Sequence, residues 1–467
     1  MSEHEYDVVV LGGGSSGENA AWYAINNGLS AAIVERDLVG GECTYWACMP
    51  SKALLRPGEV LAQARRVPGA SPAVTGGVDI DRALRSRDAF AANWDDRYQV
   101  QWVEDAGADL IRGHGRLAGE RAVEVSQQDG SAIILRAAKA VVIATGSRAA
   151  IPPIEGLRDI RVWDNRDITS AKQAPDRLLI LGGGVVGVEM AQAWRWLGSG
   201  DVTIVEMADR LIPNEEPFAS EQLQRALEDL GITVLASAKM VGVSRHGEDG
   251  PVTARLDDGS ELVADELLVA VGRAPSTGDL GLETVGLEAR GYLETDERLR
   301  VRDVEGGWLY AIGDANGKAL LTHQGKYQAR LVGDVIAGRD RVDIADARGV
   351  PRVIFTDPQI AAVGPTEAQA RDAGRRVKTV RVDLASVAGG SLLGKGITGS
   401  AQLVIDNDRR IIVGATFTGP GVGELLHAAT IAVIGEVPID RLWHAVPAFP
   451  TVSEVWLRLL EADRGIT

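Results

Sequence analysis

Cysteine is nearly absent from this chain: the 467 residues include 2, Cys43 and Cys48. A single pair cannot build the disulfide framework of a small secreted scaffold, and a cytosolic disulfide is more often catalytic than structural. Positive charge is also scarce. Lys and Arg number 49 against 65 Asp and Glu, a net charge of −16, whereas non-specific nucleic-acid binding needs a basic surface. No uninterrupted apolar run reaches the ~18 residues of a membrane span. The opening MSEHEYDVVVLGGG puts acidic residues where a signal peptide has basic ones, and its apolar stretch is too short for an h-region. Low-complexity segments are missing too. These absences predict a cytoplasmic protein with no nucleic-acid partner and no membrane insertion. The hydrophobic content of 45% suits packed cores, and the length suits roughly three domains of ~150 residues.

What is present is a repeat. Residues Tyr6 to Glu35 read YDVVVLGGGSSGENAAWYAINNGLSAAIVE, and Asp176 to Glu206 read DRLLILGGGVVGVEMAQAWRWLGSGDVTIVE. Each has an apolar strand, a G-x-G-x-x-G turn, a helix, a second strand and a terminal acid, which implies two nucleotide-binding domains. A further apolar strand follows each unit. The first, AVVIATGS, ends at Thr145 and Gly146; the second, ELLVAVGRAP, passes through Gly272. Pro-rich IPPIEG, residues 151–156, reads as a crossover. A third strand, WLYAIGDANG, carries Asp314 and is expected to return the chain to the first domain. From about Pro351 the pattern changes to alternating segments such as AQLVIDNDRRIIVGATFTG, with a turn at residues 406–409, and to a helix-like run, GELLHAATIAVIGE. That reads as an α+β domain with antiparallel strands. Residues 58–116 read as mostly helical.

The glycines point to phosphate chemistry. Gly12, Gly14 and Gly17 permit a tight turn, close approach of the backbone to a pyrophosphate, and close helix packing; the helix N-terminus then presents free N–H groups. Glu35 lies where a carboxylate accepts from ribose hydroxyls. Gly182, Gly184, Gly187 and Glu206 repeat the arrangement. Glu206 argues for NAD over NADP, since a carboxylate repels a 2′-phosphate; Arg210 is the nearby cation that argues the other way. Trp194 and Trp196 read as packing residues.

The cysteines stand in GGECTYWACMPSK, residues 40–52. A zinc site usually needs four ligands, and no other Cys or His lies near this loop. Two unrelated buried thiols remain an open reading, and a redox disulfide is preferred. Five helical residues rise about 7.5 Å, while bridged cysteines need Cα atoms within ~7 Å. Cys43 is therefore expected on an irregular entry, for which Gly40, Gly41 and Pro50 make room. A helix N-terminus there would favour a reactive thiolate.

Taken together these motifs resemble the pyridine nucleotide-disulfide oxidoreductases: glutathione reductase, dihydrolipoamide dehydrogenase and mercuric reductase. The two fingerprints, C-x4-C-x-P-S-K, ATGS, IGDA and a tail with F-P-T-x-S-E carry the resemblance over nearly the whole chain. It implies an α/β fold. An FAD-binding domain would comprise residues 1–150 and 276–345, with an NAD(P)-binding domain inserted at 151–275. A C-terminal α+β dimerisation domain would follow at 346–467. It implies FAD and NAD(H) as cofactors, NADP(H) less so, no metal, and a homodimer whose active sites borrow residues from the partner. By position, Cys48 would be the charge-transfer thiol against the flavin and Cys43 the interchange thiol facing a small-molecule acceptor. Lys52 would approach the flavin and pair with Glu189 near the nicotinamide. Asp314 would bind the ribityl chain. Thr322 and His323 would open a helix aimed at the flavin pyrimidine, where an N-terminus stabilises negative charge.

The chain departs from that pattern in its tail. The family motif is H-P-T-x-S-E, whose histidine is the acid–base partner of the interchange thiol; here the stretch is PAFPTVSE, with Phe449 at the histidine position and Glu454 retained. A phenyl ring moves no proton, and such groups typically contribute 10²–10⁴-fold. His444 reads as a helix-end residue, not a substitute. Glu42, Tyr45, Trp46 and Ala47 also replace smaller residues around the thiols, either walling them from water or simply packing. Phe at this position also marks the 2-ketopropyl coenzyme M oxidoreductase/carboxylase branch, which has histidine where this chain has Glu454. The leading expectation is an NADH-dependent flavoenzyme passing electrons to the Cys43–Cys48 disulfide and on to an acceptor. Reduction of a quinone or another electrophile, carboxylase-like thiolate chemistry, and a redox sensor without a turnover substrate are the alternatives.

Overall fold

The computed structural model describes residues 2–288 and 290–466. The chain divides into two compact units. One comprises Met1–Pro50, Asp88–Ala149 and Arg273–Asp346; the other comprises Ser51–Arg87, Ala150–Gly272 and Ala347–Thr467.

The first unit is built on Ser2–Leu11, whose end, Val8 to Leu11, is buried on both faces, as a central parallel strand requires. Parallel neighbours are Ala31–Glu35 on one side, with Asp109–Arg112 beyond it, and Ala132–Ile143 on the other. Ala122–Ser126 and His114–Leu117 extend the sheet antiparallel. Leu309–Ala311 pairs parallel with residues 141–143, so the third apolar strand does return the chain to the first sheet. Ala20, Ala21 and Ala24 of the helix Ser15–Asn26 are buried. A Cβ on Gly17 would fall 1.9 Å from the Gly12 carbonyl oxygen, so only glycine lets this helix sit so close to its strand.

The second unit repeats that design in a four-stranded parallel sheet, in the order Ile232–Leu235, Asp201–Val205, Arg177–Leu181, Glu266–Val269. A three-stranded antiparallel sheet, Met240–Arg245, Val252–Leu256 and Glu261–Ala264, accompanies it. Trp194 is fully buried and Trp196 packs against the same core, against Gly58; both are packing residues. The tail forms a five-stranded antiparallel sheet in which Ser400–Asp406 and Ile411–Gly419 flank the turn expected at residues 406–409. The helices Leu426–Ile434 and Val455–Asp463 contribute to its core.

Residues 58–116 are mostly helical, as expected, through Cys48–Arg66, Ile80–Phe90 and Arg97–Asp105, and end in the strands Asp109–Arg112 and His114–Leu117. These strands are four residues each and stand at the two edges of the sheet, and Asp109–Arg112 pairs with the distant Ala31–Glu35, so local periodicity does not reveal them. Among the described residues no helix is long and apolar enough to cross a membrane.

Candidate active site

The two glycine turns are alike to the level of single hydrogen bonds. Gly12 has φ 103° and a Cβ there would lie 2.5 Å from the Ala144 carbonyl oxygen; Gly182 has φ 109° and the same 2.5 Å approach to Ala270. Gly14 and Gly184 are the N-caps of the helices Ser15–Asn26 and Val185–Trp196. Glu35 accepts from the Gly13 N–H at 2.7 Å and the Asp37 N–H at 2.6 Å. Glu206 accepts from Gly183 at 2.6 Å and Ala208 at 2.7 Å. Each acid thus braces its own phosphate turn. The second turn is rimmed by exposed apolar side chains: Val185, Val186, Met207 and Val271. Gly272, at φ 131°, has open space where a Cβ would stand.

In the first unit the cysteines lie on two separate helical segments. Cys43 is in the short turn Gly41–Tyr45 and Cys48 opens the helix Cys48–Arg66, with the break at residues 46–47. The thiols therefore share no regular helix, and Gly40 and Gly41, at φ 108° and 61°, form the irregular entry before Cys43 that the spacing argument expects, with a second break at residues 46–47. Cys48 Sγ lies 3.3 Å from Thr322 Oγ1, and Thr322 begins the helix Thr322–Ile336 with His323 next in its first turn. The Cys43 thiol is pushed well above the ordinary range, chiefly by its hydrogen bond with Cys48 and then by burial. That direction runs against a thiolate at Cys43, while Cys48 is the thiol beside the N-terminus of the helix Thr322–Ile336.

A cluster not foreseen from sequence surrounds Asp314. Arg273 donates to Ser147 Oγ and to the Ser147 carbonyl, both at 2.6 Å, and stands 3.5 Å from Glu42 and 4.0 Å from Asp314. Ser147 also bonds Asp314. Burial raises the Asp314 carboxyl, opposed by Ser147 and Arg273. Thr145 Oγ1 is buried with no hydrogen-bond partner, and Gly146 has φ 70°. The aromatic wall at Tyr45 proves to be core packing: its ring is fully buried and its hydroxyl donates to the Val39 carbonyl at 3.0 Å.

In the second unit Lys52 Nζ pairs with Glu189 Oε2 at 2.8 Å, as the resemblance leads one to expect. Glu189 is buried, and its Oε1 accepts from the Phe355 N–H at 2.9 Å; Lys52 also lies 4.8 Å from the Phe355 ring centroid. Phe449 is 75% exposed. Glu454 is buried, and its Oε2 has no hydrogen-bond partner. His444 closes a short helix through its backbone N–H to the Arg441 carbonyl.

Residues 6–329 match the model described as pyridine nucleotide-disulphide oxidoreductase, and residues 350–459 match the dimerisation domain of that family. The chain belongs to the pyridine nucleotide-disulphide oxidoreductase family. A dihydrolipoyl dehydrogenase of Chlorobaculum tepidum is 34% identical over 96% of this chain and 95% of its own length. A mercuric reductase of Staphylococcus aureus is 30% identical over 99% of this chain and 83% of its own. Among solved structures, LpdA from Mycobacterium tuberculosis superposes with a TM-score of 0.85 at 25% identity, covering 99% of each chain.

Membership in the pyridine nucleotide-disulphide oxidoreductases makes the chain an FAD-dependent enzyme that uses a pyridine nucleotide. The residues present fit both groups. The buried, unpartnered Thr145 hydroxyl asks for a ligand atom in the first unit, and Gly14 and Gly184, at the two helix N-termini, have open space where a side chain would stand, with no atom closer than 3.9 Å. Arg273 is the site residue that motif reading missed, together with its link to Glu42; the only signal was the Gly-Arg-Ala-Pro run after the second unit's last strand.

Proposed function

We propose that the chain takes hydride from NADH, stores the electron pair in the Cys43–Cys48 couple, and passes it outward without a resident acid–base residue at position 449. The observation that carries this reading is the thiol pair itself: Cys48 3.3 Å from the hydroxyl that opens a helix, and Cys43 hydrogen-bonded to Cys48. Bound FAD would accept the hydride and relay its electrons to sulfur. The first-unit turn, with Gly12, Gly14, Gly17, Glu35, Thr145, Gly146, Asp314, Thr322 and His323, is assigned to hold FAD. The second, with Gly182, Gly184, Gly187, Glu206 and Gly272, is assigned to NADH.

Three features support NADH over NADPH. Glu206 stays fixed at the ribose end of its turn, Met207 beside it is apolar, and the Arg210 guanidinium donates to the Pro213 carbonyl at 2.7 Å. Like charges forced together cost several kcal/mol, so kcat/KM for NADH is expected to exceed that for NADPH by at least ~10-fold. Equal values would remove this part of the reading.

The acceptor follows from what position 449 lacks. A disulfide acceptor needs protons for its leaving thiolates. A quinone can draw protons from water, and a soft metal ion, as in the mercuric reductase relatives, takes electrons with none. We therefore read the natural acceptor as a quinone or a similar electrophile that does not depend on an enzyme acid, with a thiol-seeking metal ion as the second reading. The test is anaerobic reduction by NADH, a count of new thiols, then a panel of lipoamide, glutathione disulfide, quinones and Hg(II). Two new thiols with faster turnover of the proton-independent acceptors is the expected result. Brisk lipoamide turnover contradicts the acceptor assignment, and no new thiols contradicts the reading as a whole.

A further inference from the structure

Residues 354–358 join the strands Arg352–Ile354 and Gln359–Val363. Ile354, Thr356, Asp357 and Pro358 are buried, yet Phe355 among them is 37% exposed. The backbone beside that ring is tied down. The Phe355 N–H donates to Glu189 Oε1 at 2.9 Å. Gln192, fully buried three residues along the same helix, accepts from the Asp357 N–H at 2.7 Å and donates to the Asp357 carbonyl at 3.0 Å. Arg66 pairs with the Asp357 carboxylate, and the Thr356 hydroxyl donates to the Pro358 carbonyl at 2.8 Å. A satisfied buried network of this kind is rigid, so the ring is held where it stands. Lys52 Nζ lies 4.8 Å from its centroid, within the ~6 Å reach of cation–π attraction. The same nitrogen pairs with Glu189 Oε2 at 2.8 Å. Phe355 thus grips both members of the ion pair, Glu189 through its N–H and Lys52 through its ring. The Glu189 side chain is buried, while 35% of the Lys52 side chain remains accessible. An ammonium carries three donors on a flexible four-carbon stem; without the ring it can swing about Glu189.

We propose that Phe355 is a positioning residue for hydride transfer: its ring pins the Lys52 ammonium in one orientation on Glu189. This rests on the proposed oxidation of NADH, with Lys52 beside bound FAD as the resemblance implies. The hydride carries two electrons and leaves NAD⁺ behind. The negative charge it delivers is best stabilised by a cation already in place, because no reorganisation is then needed at the moment of transfer. A lysine free to swing brings the same charge to bear in fewer of its orientations. Phe355 acts only through Lys52, so its effect requires the lysine.

The test joins a labelling rate to a double-mutant cycle in the FAD-loaded enzyme. Phe355→Leu keeps the backbone N–H and removes the ring face; Phe355→Trp keeps a face and strengthens it. Acetylation of Lys52 by acetic anhydride, read by peptide mass mapping, is expected to be at least ~3-fold faster in Phe355→Leu and no faster in Phe355→Trp. Anaerobic stopped-flow reduction at saturating NADH is expected to be ~3–10-fold slower in Phe355→Leu and restored in Phe355→Trp, with no change in the NADH concentration giving the half-maximal rate. In a Lys52→Met background, Phe355→Leu is expected to make no further difference. Equal labelling of Phe355→Leu and the unmodified protein overturns the proposal, and so does the same loss of rate with and without Lys52. The labelling decides alone where Lys52→Met is too slow to read. An unchanged reduction rate in Lys52→Met removes the reading of Lys52 beside the flavin, and this proposal with it. Phe355→Met takes the place of Phe355→Leu in every arm should the latter fail to fold.

Discussion

Two residues of the tail carry the proposed departure from the family: Phe449, which cannot carry a proton, and Glu454, a buried carboxylate whose Oε2 has no hydrogen-bond partner. By resemblance that carboxylate would orient a histidine at position 449, where this chain has phenylalanine. Phe449→His restores a ring N–H for Glu454 to accept and an acid for the leaving thiolate. The substitution is expected to raise lipoamide or glutathione-disulfide turnover by ~10–100-fold, the lower part of the range for a positioned acid–base group. Steady-state rates at neutral pH check it; an unchanged rate would mean that the outward step is not limited by proton transfer. Cys43 argues the same way. Its hydrogen bond with Cys48 and its burial push the thiol up, so an outward step through Cys43 gains from an added acid–base group.

At the scale of elements, the helix Thr322–Ile336 does more than aim its N-terminus at Cys48. Gln328 accepts from the Gly313 N–H at 2.8 Å and from Asn316 at 3.0 Å, bracing the segment that carries Asp314. Gln328 and Gln324 also donate to Asp346. Burial, with Asp343 alongside, pushes the Asp346 carboxyl up to about 7. In the unfolded chain such a group ionises near ~3.9. Below pH 4 both states hold the proton and folding suffers no penalty; between about 4 and 7 only the unfolded state releases it, so stability falls as pH rises and levels off above 7. Melting temperature is therefore expected to drop from pH 5 to pH 7.5, and Asp346→Asn to flatten that drop; equal slopes in thermal scans of the two proteins contradict this. The elements also divide by legibility. The two strand–turn–helix–strand units are readable because spacing alone fixes Gly12, Gly17, Gly182 and Gly187 against their carbonyls. The Lys52–Glu189 pair is readable only through resemblance, since it joins residues 137 apart in sequence. The pairing of Arg273 with Glu42 is invisible to spacing because distant segments bring the two together. Asp109–Arg112 is hidden by its shortness.

At the scale of the whole molecule, the second unit leaves Val446, Phe449, Leu392 and Ile431 between 57% and 87% exposed, and the tail matches the dimerisation domain of its family. Exposed apolar residues of this kind mark interaction surfaces. The match to a dimerisation domain suggests a second copy as the occupant, and the resemblance implies the arrangement to be tested: position 449 of one chain serving Cys43 of the other. Elution at twice 49.5 kDa would establish the dimer but not the sharing. Sharing is tested by hybrids, because Cys43→Ser and Phe449→His can be placed on the same chain. A homodimer of that double variant has no interchange thiol and is expected to be inactive toward lipoamide. Pairing one doubly substituted chain with one unmodified chain, purified through two different tags, unites an intact Cys43 with an imidazole from the opposite subunit at one of two sites. If sites are shared, the hybrid is expected to show about half the lipoamide turnover of the Phe449→His homodimer, since one site of two is complete. If each chain serves its own thiols, the intact Cys43 meets only phenylalanine, and the hybrid can do no better than half the slow rate of the unmodified dimer. The gap between those outcomes is the full acid–base contribution, so the assay separates them wherever Phe449→His alone has a measurable effect.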